Sequence, residues 1–160
     1  MLTSEIRQFL NLTEAELCMF GARLAPLLES GDLVTLSGEL GVGKSVLSRA
    51  MLNGLGIVEV IPSPTFTLVQ SYRVPETISF DLVAHVDLYR LDHYQDVIEL
   101  GLEEYLDHGV VLLEWPERLY QIDVKRRLDL RIEMSAQGSE LRNIMVYAPK
   151  VFDRIGALLG

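Results

Sequence analysis

The spacing of hydrophobic positions near the start of the chain predicts an amphipathic helix. Between residues 14 and 29 apolar side chains recur every three or four positions and fall on one helical face. Thr13 precedes this segment and Glu16 follows it three positions later, a pattern typical of a capping box at a helix start. Pro26 lacks a backbone N–H and predicts that the helix kinks or ends early.

The same helical spacing returns later in the chain. It predicts a helix over residues 46–52, a longer helical region over 92–106 and a C-terminal helix over 151–159. Gly101 lies inside the second region, where glycine favours a break between two short helices.

Other segments have the patterns of β-strands. Residues 110–113 form a continuous apolar run, which predicts a central strand buried on both faces. Short polar connections predict two antiparallel pairs, one between strands 65–72 and 82–88 and one between strands 128–134 and 143–148. The predicted strands are 33–36, 65–72, 82–88, 110–113, 128–134 and 143–148. Together with the helices they predict one α/β domain over residues 1–160 with a mixed central sheet.

Composition narrows the function classes. The chain has 160 residues, of which 49% are hydrophobic and 23% charged, as expected for one soluble globular domain. It has no apolar run of membrane-spanning length and no signal-peptide pattern, and Cys18 is its single cysteine, so we expect a cytoplasmic protein without an internal disulfide. The formal net charge of −9 argues against broad nucleic-acid binding by this chain alone.

Residues 38–45 read GELGVGKS and match the phosphate-binding loop G-x-x-x-x-G-K-[ST]. A predicted strand precedes the loop and a predicted helix follows it, which is the arrangement that the motif requires. The glycines let the backbone amides approach a polyphosphate. Lys44 is then expected to reach the β- and γ-phosphates and the Ser45 hydroxyl to ligate Mg²⁺. The alternative is an ordinary glycine-rich turn with an exposed lysine.

Three further residues are candidates for the chemistry of a nucleotide. Glu114 ends the buried strand 110–113, where an acid supports Mg²⁺ or orients the nucleophile; the alternative is a solvent-facing carboxylate. Asp87 is the second acid, with a turn-forming aspartate as the alternative. Thr65 follows the predicted loop helix and is a candidate sensor of the γ-phosphate, or else part of a rigid turn.

The aromatic and imidazole side chains are less informative. Trp115 is the sole tryptophan and is equally compatible with a structural anchor and with a functional ring. Because Pro116 follows it, we predict an extended backbone at Trp115. His85, His93 and His108 show no spacing typical of metal ligands.

Taken together, the segments GELGVGKS, SPTFTLVQSY, HVDLYRL, GLEEYL and VVLLEWPER resemble, in this order, the motifs of the TsaE (YjeE) family of bacterial ATPases. The resemblance covers at least residues 33–118. It implies a P-loop NTPase-like three-layer sandwich with a mixed central sheet. It also implies Mg²⁺-dependent ATP hydrolysis, slow in the isolated protein, in the pathway that makes N6-threonylcarbamoyladenosine at adenosine 37 of tRNA. The implied partners are TsaD and TsaB, and ATP hydrolysis would reset their complex. The protein would reach tRNA mainly through that complex, and the resemblance implies no membrane.

The resemblance also implies roles for individual residues. It implies catalytic roles for Asp87, Glu114 and Thr65, and metal binding by Ser45, Glu114 and Asp87. The implied nucleotide-binding residues are Thr13, Glu39, Leu40, Gly41, Val42, Gly43, Lys44, Ser45, Val46 and Trp115. This chain departs from the family pattern at Ser139, where an arginine is common, and it stays open whether Arg142 replaces that arginine.

Other nucleotide-dependent functions remain alternatives at this point. A small-molecule kinase needs an arginine-bearing lid, and the adjacent pair Arg126 and Arg127 opens a predicted strand instead. A GTP-dependent switch needs a guanine-binding N-K-x-D stretch, which the sequence lacks. A nucleotide-binding scaffold without turnover is the third alternative.

Overall fold

A computed structural model of the protein describes residues 4–58, 68–119 and 124–159. The strands in this part of the chain are β1 (Ser4–Leu12), β2 (Leu33–Ser37), β3 (Val69–Arg73), β4 (Leu82–Asp87), β5 (Gly109–Glu114), β6 (Arg127–Met134) and β7 (Arg142–Pro149). They form one sheet in the order β1-β7-β6-β2-β5-β4-β3. β2 pairs in parallel with β5 and β6, and β4 with β5, whereas β3, β7 and β1 pair antiparallel with their neighbours. The predicted mixed sheet is therefore confirmed.

The helices follow the predicted positions. They are α1 (Glu14–Leu24), α2 (Lys44–Gly54), α3 (Tyr94–Glu99), α4 (Leu102–His108) and α5 (Gly156–Leu159), with 3₁₀ turns at Ala25–Leu27, Pro116–Arg118 and Lys150–Ile155. The first helix ends early, as Pro26 predicts, and continues as a 3₁₀ turn. Gly101 has φ 67° and separates α3 from α4, as predicted. The C-terminal helix is mostly 3₁₀.

Two hydrophobic layers cover the two faces of the sheet. β5 contributes to both, because alternate side chains of a strand point in opposite directions. Val110 and Leu112 pack with side chains of α1 and α2, whereas Val111 and Leu113 pack with side chains of α3 and α4. All four are fully buried. The fold is therefore a three-layer α/β sandwich, as predicted.

β1 was not predicted. It pairs antiparallel with β7, from Ser4 opposite Pro149 to Leu12 opposite Arg142 with an irregularity near its end. An edge strand has a neighbour on one side only and buries little of its surface, so its apolar pattern is weak. Ile6 and Leu10 illustrate this, since each is 57% exposed.

The parallel strands bring their carboxyl ends to one edge of the sheet. In the pairing of β2, β5 and β4, Glu114 lies opposite both Leu36 and Asp87. The antiparallel pairing of β3 with β4 is confirmed, while residues 65–67 of the predicted strand lie outside the described residues. None of the helices among the described residues has the length and hydrophobicity to cross a bilayer.

Candidate functional site

The glycine-rich loop and the strand-end acids open onto one cavity at the carboxyl edge of the sheet. The loop connects β2 to α2, and Asp87 and Glu114 end β4 and β5. The cavity has a volume of about 300 Å³, at the small end of the range for ligand pockets. Its lining residues are Leu40, Gly41, Gly43, Lys44, Ser45, Val46, Asp87, Tyr89, Glu114 and Trp115. The structure thus brings together most of the residues predicted to bind or act on a nucleotide.

The loop has a backbone that depends on glycine. Gly38 and Gly43 have φ values of 143° and 120°, which L-residues with a side chain rarely adopt. A Cβ at Gly38 would also clash with the carbonyl oxygen of Ile132. α2 begins directly after Gly43 without a side-chain cap. Its first N–H groups therefore face an anion-binding position at a helix N-terminus.

Lys44 lies folded against this loop. Its Nζ donates to the carbonyl oxygens of Gly38 at 2.5 Å and Glu39 at 2.8 Å, and it lies 4.0 Å from the ring centroid of Trp115. Burial lowers the pKa of Lys44, although the carboxylates of Glu114, Glu117 and Asp87 act to raise it. The ammonium is thus a largely desolvated cation at the wall of the cavity.

Glu114 is buried rather than solvent-facing. Its side chain is 2% exposed, and both carboxylate oxygens have partners. The Ser45 hydroxyl donates to Oε1 at 3.0 Å, and Nε2 of His85 lies 2.6 Å from Oε2. The carboxylate therefore has a defined orientation toward the start of α2.

Asp87 combines the two roles considered from the sequence. Its Oδ1 accepts a hydrogen bond from the backbone N–H of Tyr89 at 2.9 Å, as in a turn-forming aspartate. At the same time it is 4% exposed and lines the cavity. The turn that it stabilises places the ring of Tyr89 against Trp115, with the ring centroids 4.8 Å apart.

The predicted extended backbone at Trp115 is wrong. Trp115 has φ 63° and ψ 55°, the left-handed conformation. Its N–H donates to the carbonyl oxygen of Leu36 while the chain turns at once into the 3₁₀ turn that begins with Pro116. Packing of the indole against Lys44 and Tyr89 outweighs the local preference of a residue before proline.

Some predicted site residues lie elsewhere. The Thr13 hydroxyl accepts from the Glu16 N–H at 3.2 Å and caps α1, and Thr13 is not among the residues that line the cavity. The Glu39 side chain is exposed, and that of Val42 packs in the core. Thr65 lies outside the described residues. The roles of these four residues toward a nucleotide stay predictions.

His85 and Tyr89 were not assigned roles from the sequence, and the role of Arg142 was left open. His85 could have been found from strand periodicity, because it lies two positions before Asp87 and therefore on the same face. Tyr89 had no distinguishing pattern. Arg142 donates to the carbonyl oxygens of Val42 at 2.7 Å, Ser139 at 2.6 Å and Leu141 at 3.0 Å. It therefore connects β7 to the glycine-rich loop.

Comparison with known proteins identifies the family of this chain. A family model described as threonylcarbamoyl adenosine biosynthesis protein TsaE matches residues 12–144. The chain belongs to the TsaE family. The tRNA threonylcarbamoyladenosine biosynthesis protein TsaE of Streptomyces coelicolor is 40% identical to it over 129 residues, which cover 79% of this chain and 86% of that protein. The protein of the same name from Mycobacterium tuberculosis H37Rv is 39% identical over 119 residues, covering 71% and 70%.

A solved structure shares this fold. The crystal structure of YdiB from Bacillus subtilis superposes with a TM-score of 0.72 at 25% sequence identity, covering 98% of this chain and 93% of that one. The predicted family resemblance and the predicted fold are both confirmed. The match to the TsaE family spans the glycine-rich loop, Asp87, Glu114 and Trp115.

Proposed function

We propose that this protein is a Mg²⁺-dependent P-loop ATPase of the cytoplasm that acts in the synthesis of threonylcarbamoyladenosine in tRNA. The observation that carries the ATPase proposal is the contact between the Ser45 hydroxyl and Glu114, beside Lys44 and the glycine-rich loop. The pathway is inferred from membership in the TsaE family, whose relatives carry that pathway in their names.

The loop and the start of α2 would bind the phosphates. Backbone amides of residues 38–45 and the helix N-terminus supply donors to an anion, and Lys44 supplies one positive charge. Lys44 now uses its donors on the carbonyl oxygens of Gly38 and Glu39. Binding would turn some of these donors toward phosphate oxygens, which hold a negative charge that carbonyls lack.

The donor set fits magnesium. Mg²⁺ prefers oxygen ligands, and the Ser45 hydroxyl and the carboxylates of Glu114 and Asp87 all line the cavity. The Ser45 hydroxyl donates its hydrogen to Glu114, so its lone pairs remain available to a cation. When bound, the ion would neutralise charge that develops on the phosphates.

Hydrolysis needs a group that directs water at the γ-phosphorus. The water oxygen forms a bond to that phosphorus, the bond to the β–γ bridging oxygen breaks, and ADP and inorganic phosphate leave. The proton of the water must pass to an acceptor, and Glu114 is our candidate because it is ionisable and lies at the cavity wall. Asp87 would support the same step from the neighbouring strand end.

Residue Thr65 and the partner proteins complete the proposal. Thr65 would sense the γ-phosphate, so Thr65→Ala should change either turnover or partner affinity; unchanged values for both would exclude this role. TsaD and TsaB would be the partners, with hydrolysis resetting their complex between turnovers. The net charge of −9 suits a subunit that leaves tRNA contact to those partners.

The test is ATP hydrolysis by the purified protein, alone and with TsaD and TsaB. We expect slow turnover alone and faster turnover in the mixture, because a site completed by another surface is incomplete in isolation. Lys44→Ala should lose nucleotide binding by calorimetry. Turnover already maximal without partners would contradict the regulatory role, and turnover that requires an added metabolite would indicate a kinase instead.

Complex formation provides a second measurement. Co-elution of the protein with TsaD and TsaB should differ between ATP and a non-hydrolysable analogue, because the hydrolysed nucleotide would release the assembly. Equal co-elution with both nucleotides would exclude a resetting role while leaving the ATPase proposal to be judged on turnover.

A further inference from the structure

His85 is a buried histidine in direct contact with the proposed active site. It lies on β4, its side chain is 1% exposed, and its Nε2 is 2.6 Å from Oε2 of Glu114. The other carboxylate oxygen of Glu114 accepts from the Ser45 hydroxyl. Serine, glutamate and histidine thus form a continuous chain of hydrogen bonds from α2 across β5 to β4.

The donors and acceptors of the two side chains identify the contribution of His85. An ionised carboxylate only accepts hydrogen bonds, so the imidazole supplies the proton at Nε2. With Nε2 as the donor to Glu114, Nδ1 is the other polar atom of the ring and needs a partner of its own. Nδ1 is buried and has no hydrogen-bond partner among the described residues. Burying an unpaired polar atom costs stability.

Packing alone therefore does not account for a histidine at this position. An apolar side chain of similar size would fill the same space between sheet and helix without an unpaired nitrogen. The contact that histidine adds is the one from Nε2 to Glu114. The hydrogen bond to the Glu114 carboxylate, which belongs to the proposed active site, explains why this position holds a histidine.

Orientation of Glu114 is the function that these contacts indicate. A glutamate side chain rotates about three bonds, and one hydrogen bond to Ser45 leaves its other oxygen unrestrained. We propose that His85 is a positioning residue, whose Nε2–H holds Oε2 so that Oε1 stays at the Ser45 hydroxyl. The lone pairs of Ser45 then remain directed toward a cation. This inference rests on the ATPase function proposed above.

Two substitutions at His85 separate positioning from packing. His85→Leu removes the donor and keeps an apolar volume, whereas His85→Gln restores an N–H donor near the position of Nε2. Residues that orient metal ligands typically contribute about 10–100-fold to metal affinity or activity. For His85→Leu we expect a loss of about tenfold or more in kcat, with metal-free ATP affinity within about twofold of wild type. His85→Gln should recover most of the loss.

Binding of Mn²⁺ supplies a readout that does not depend on turnover. Electron paramagnetic resonance of Mn²⁺ with ATP and protein should show about tenfold weaker cation binding in His85→Leu than in wild type. The matched control is His93→Leu, because His93 is an exposed histidine at the start of α3. This control should match wild type in both measurements.

The tautomer of His85 is a direct check in the unmodified protein. ¹H–¹⁵N correlation spectra of the imidazole rings should show His85 protonated at Nε2, with a signal that shifts in Glu114→Ala. This measurement tests the hydrogen bond from Nε2–H to Glu114, on which the inference depends, even if His85→Leu fails to fold.

Wild-type kcat and Mn²⁺ affinity in His85→Leu would overturn this inference without affecting the proposed function. A His85 ring protonated at Nδ1 alone would have the same consequence. A wild-type protein that neither binds nor hydrolyses ATP would overturn the proposed function and this inference together.

Discussion

The hydroxyl of Ser45 lies 3.0 Å from Oε1 of Glu114, although 69 positions separate the two residues in the chain. Ser45 is in the first turn of the helix after β2, and Glu114 is the last residue of β5. β2 and β5 are adjacent and parallel, so the start of α2 lies beside the carboxyl end of β5. This contact joins the glycine-rich loop to an acid.

Substitutions of these two residues should separate binding from hydrolysis. We expect Glu114→Gln to bind ATP within a few-fold of wild type and to lower kcat by about 100-fold or more, because the amide does not accept a proton. Ser45→Ala should raise the Mg²⁺ concentration needed for half-maximal hydrolysis, because it removes an oxygen ligand. Calorimetry measures ATP binding, and steady-state hydrolysis at several Mg²⁺ concentrations measures kcat and the Mg²⁺ dependence.

Ser48 provides the matched control on the same helix. It lies one turn after Ser45, and its buried hydroxyl has no partner among the described residues. Ser48→Ala should therefore retain wild-type kcat and Mg²⁺ dependence. If Ser45→Ala and Ser48→Ala behave alike, the Ser45–Glu114 contact has no part in the reaction.

The pH dependence of ATP binding should reflect Lys44. Burial lowers its pKa from the usual 10.5, and bound phosphates would raise it again by favouring the charged amine. As pH rises through the pKa of Lys44 in the free protein, ATP affinity should fall by up to about tenfold per pH unit. Calorimetry across the alkaline range measures this.

The free energy of unfolding should rise with pH over part of the alkaline range, whereas ATP affinity falls. The pKa of Lys44 is lower in the folded than in the unfolded chain, so between these two values the unfolded chain binds more protons. The free energy of unfolding of the nucleotide-free protein therefore receives a contribution that rises with pH in this interval. Lys44→Met should abolish this stability trend, whereas exposed Lys150→Met should leave the trends in stability and in ATP affinity unchanged. Identical alkaline profiles in wild type and Lys44→Met would disprove the assignment.

Arg142 should stabilise the glycine-rich loop. Its guanidinium donates to the carbonyl oxygen of Val42 within the loop and to two carbonyl oxygens near the start of β7. We expect Arg142→Gln to lower the free energy of unfolding by about 1–3 kcal/mol, as for hydrogen bonds from a charged donor. ATP affinity should fall about fivefold, since loop order contributes to binding.

Arg131→Gln is the control for that substitution. Arg131 forms a solvent-exposed pair with Glu133 at 2.9 Å, and such pairs contribute about 0–1 kcal/mol. Urea denaturation and ATP titration of both variants provide the comparison. Equal effects of the two substitutions would show that Arg142 acts only as a surface charge.

The fluorescence of Trp115 should report on nucleotide binding. It is the sole tryptophan, and the Lys44 ammonium lies 4.0 Å from its ring centroid. ATP would draw the ammonium toward phosphate, so the emission of Trp115 should change on titration with ATP. Binding detected by calorimetry without any change in emission would show that Lys44 keeps its place over the indole.

Much of the fold could be predicted from local patterns. The periods of apolar residues indicated the helices and the buried strands, and Pro26 and Gly101 indicated where helices end, because these signals depend on neighbours in the chain. β1 was missed because an edge strand is stabilised by its partner β7 rather than by its own buried face. The backbone at Trp115 was wrongly predicted to be extended, because packing against residues distant in the sequence outweighed the conformational preference of a residue before proline.

The candidate site divides in the same way. The sequence by itself determined the glycine-rich loop, its lysine and serine, and the two strand-end acids, since eight consecutive residues and the ends of apolar runs suffice to identify them. Only the tertiary structure decided that His85 contacts Glu114, that Arg142 contacts the loop and that Tyr89 packs on Trp115. Those contacts join residues on different strands and loops. Strand order and register bring these residues together, and both arise from packing of the whole sheet.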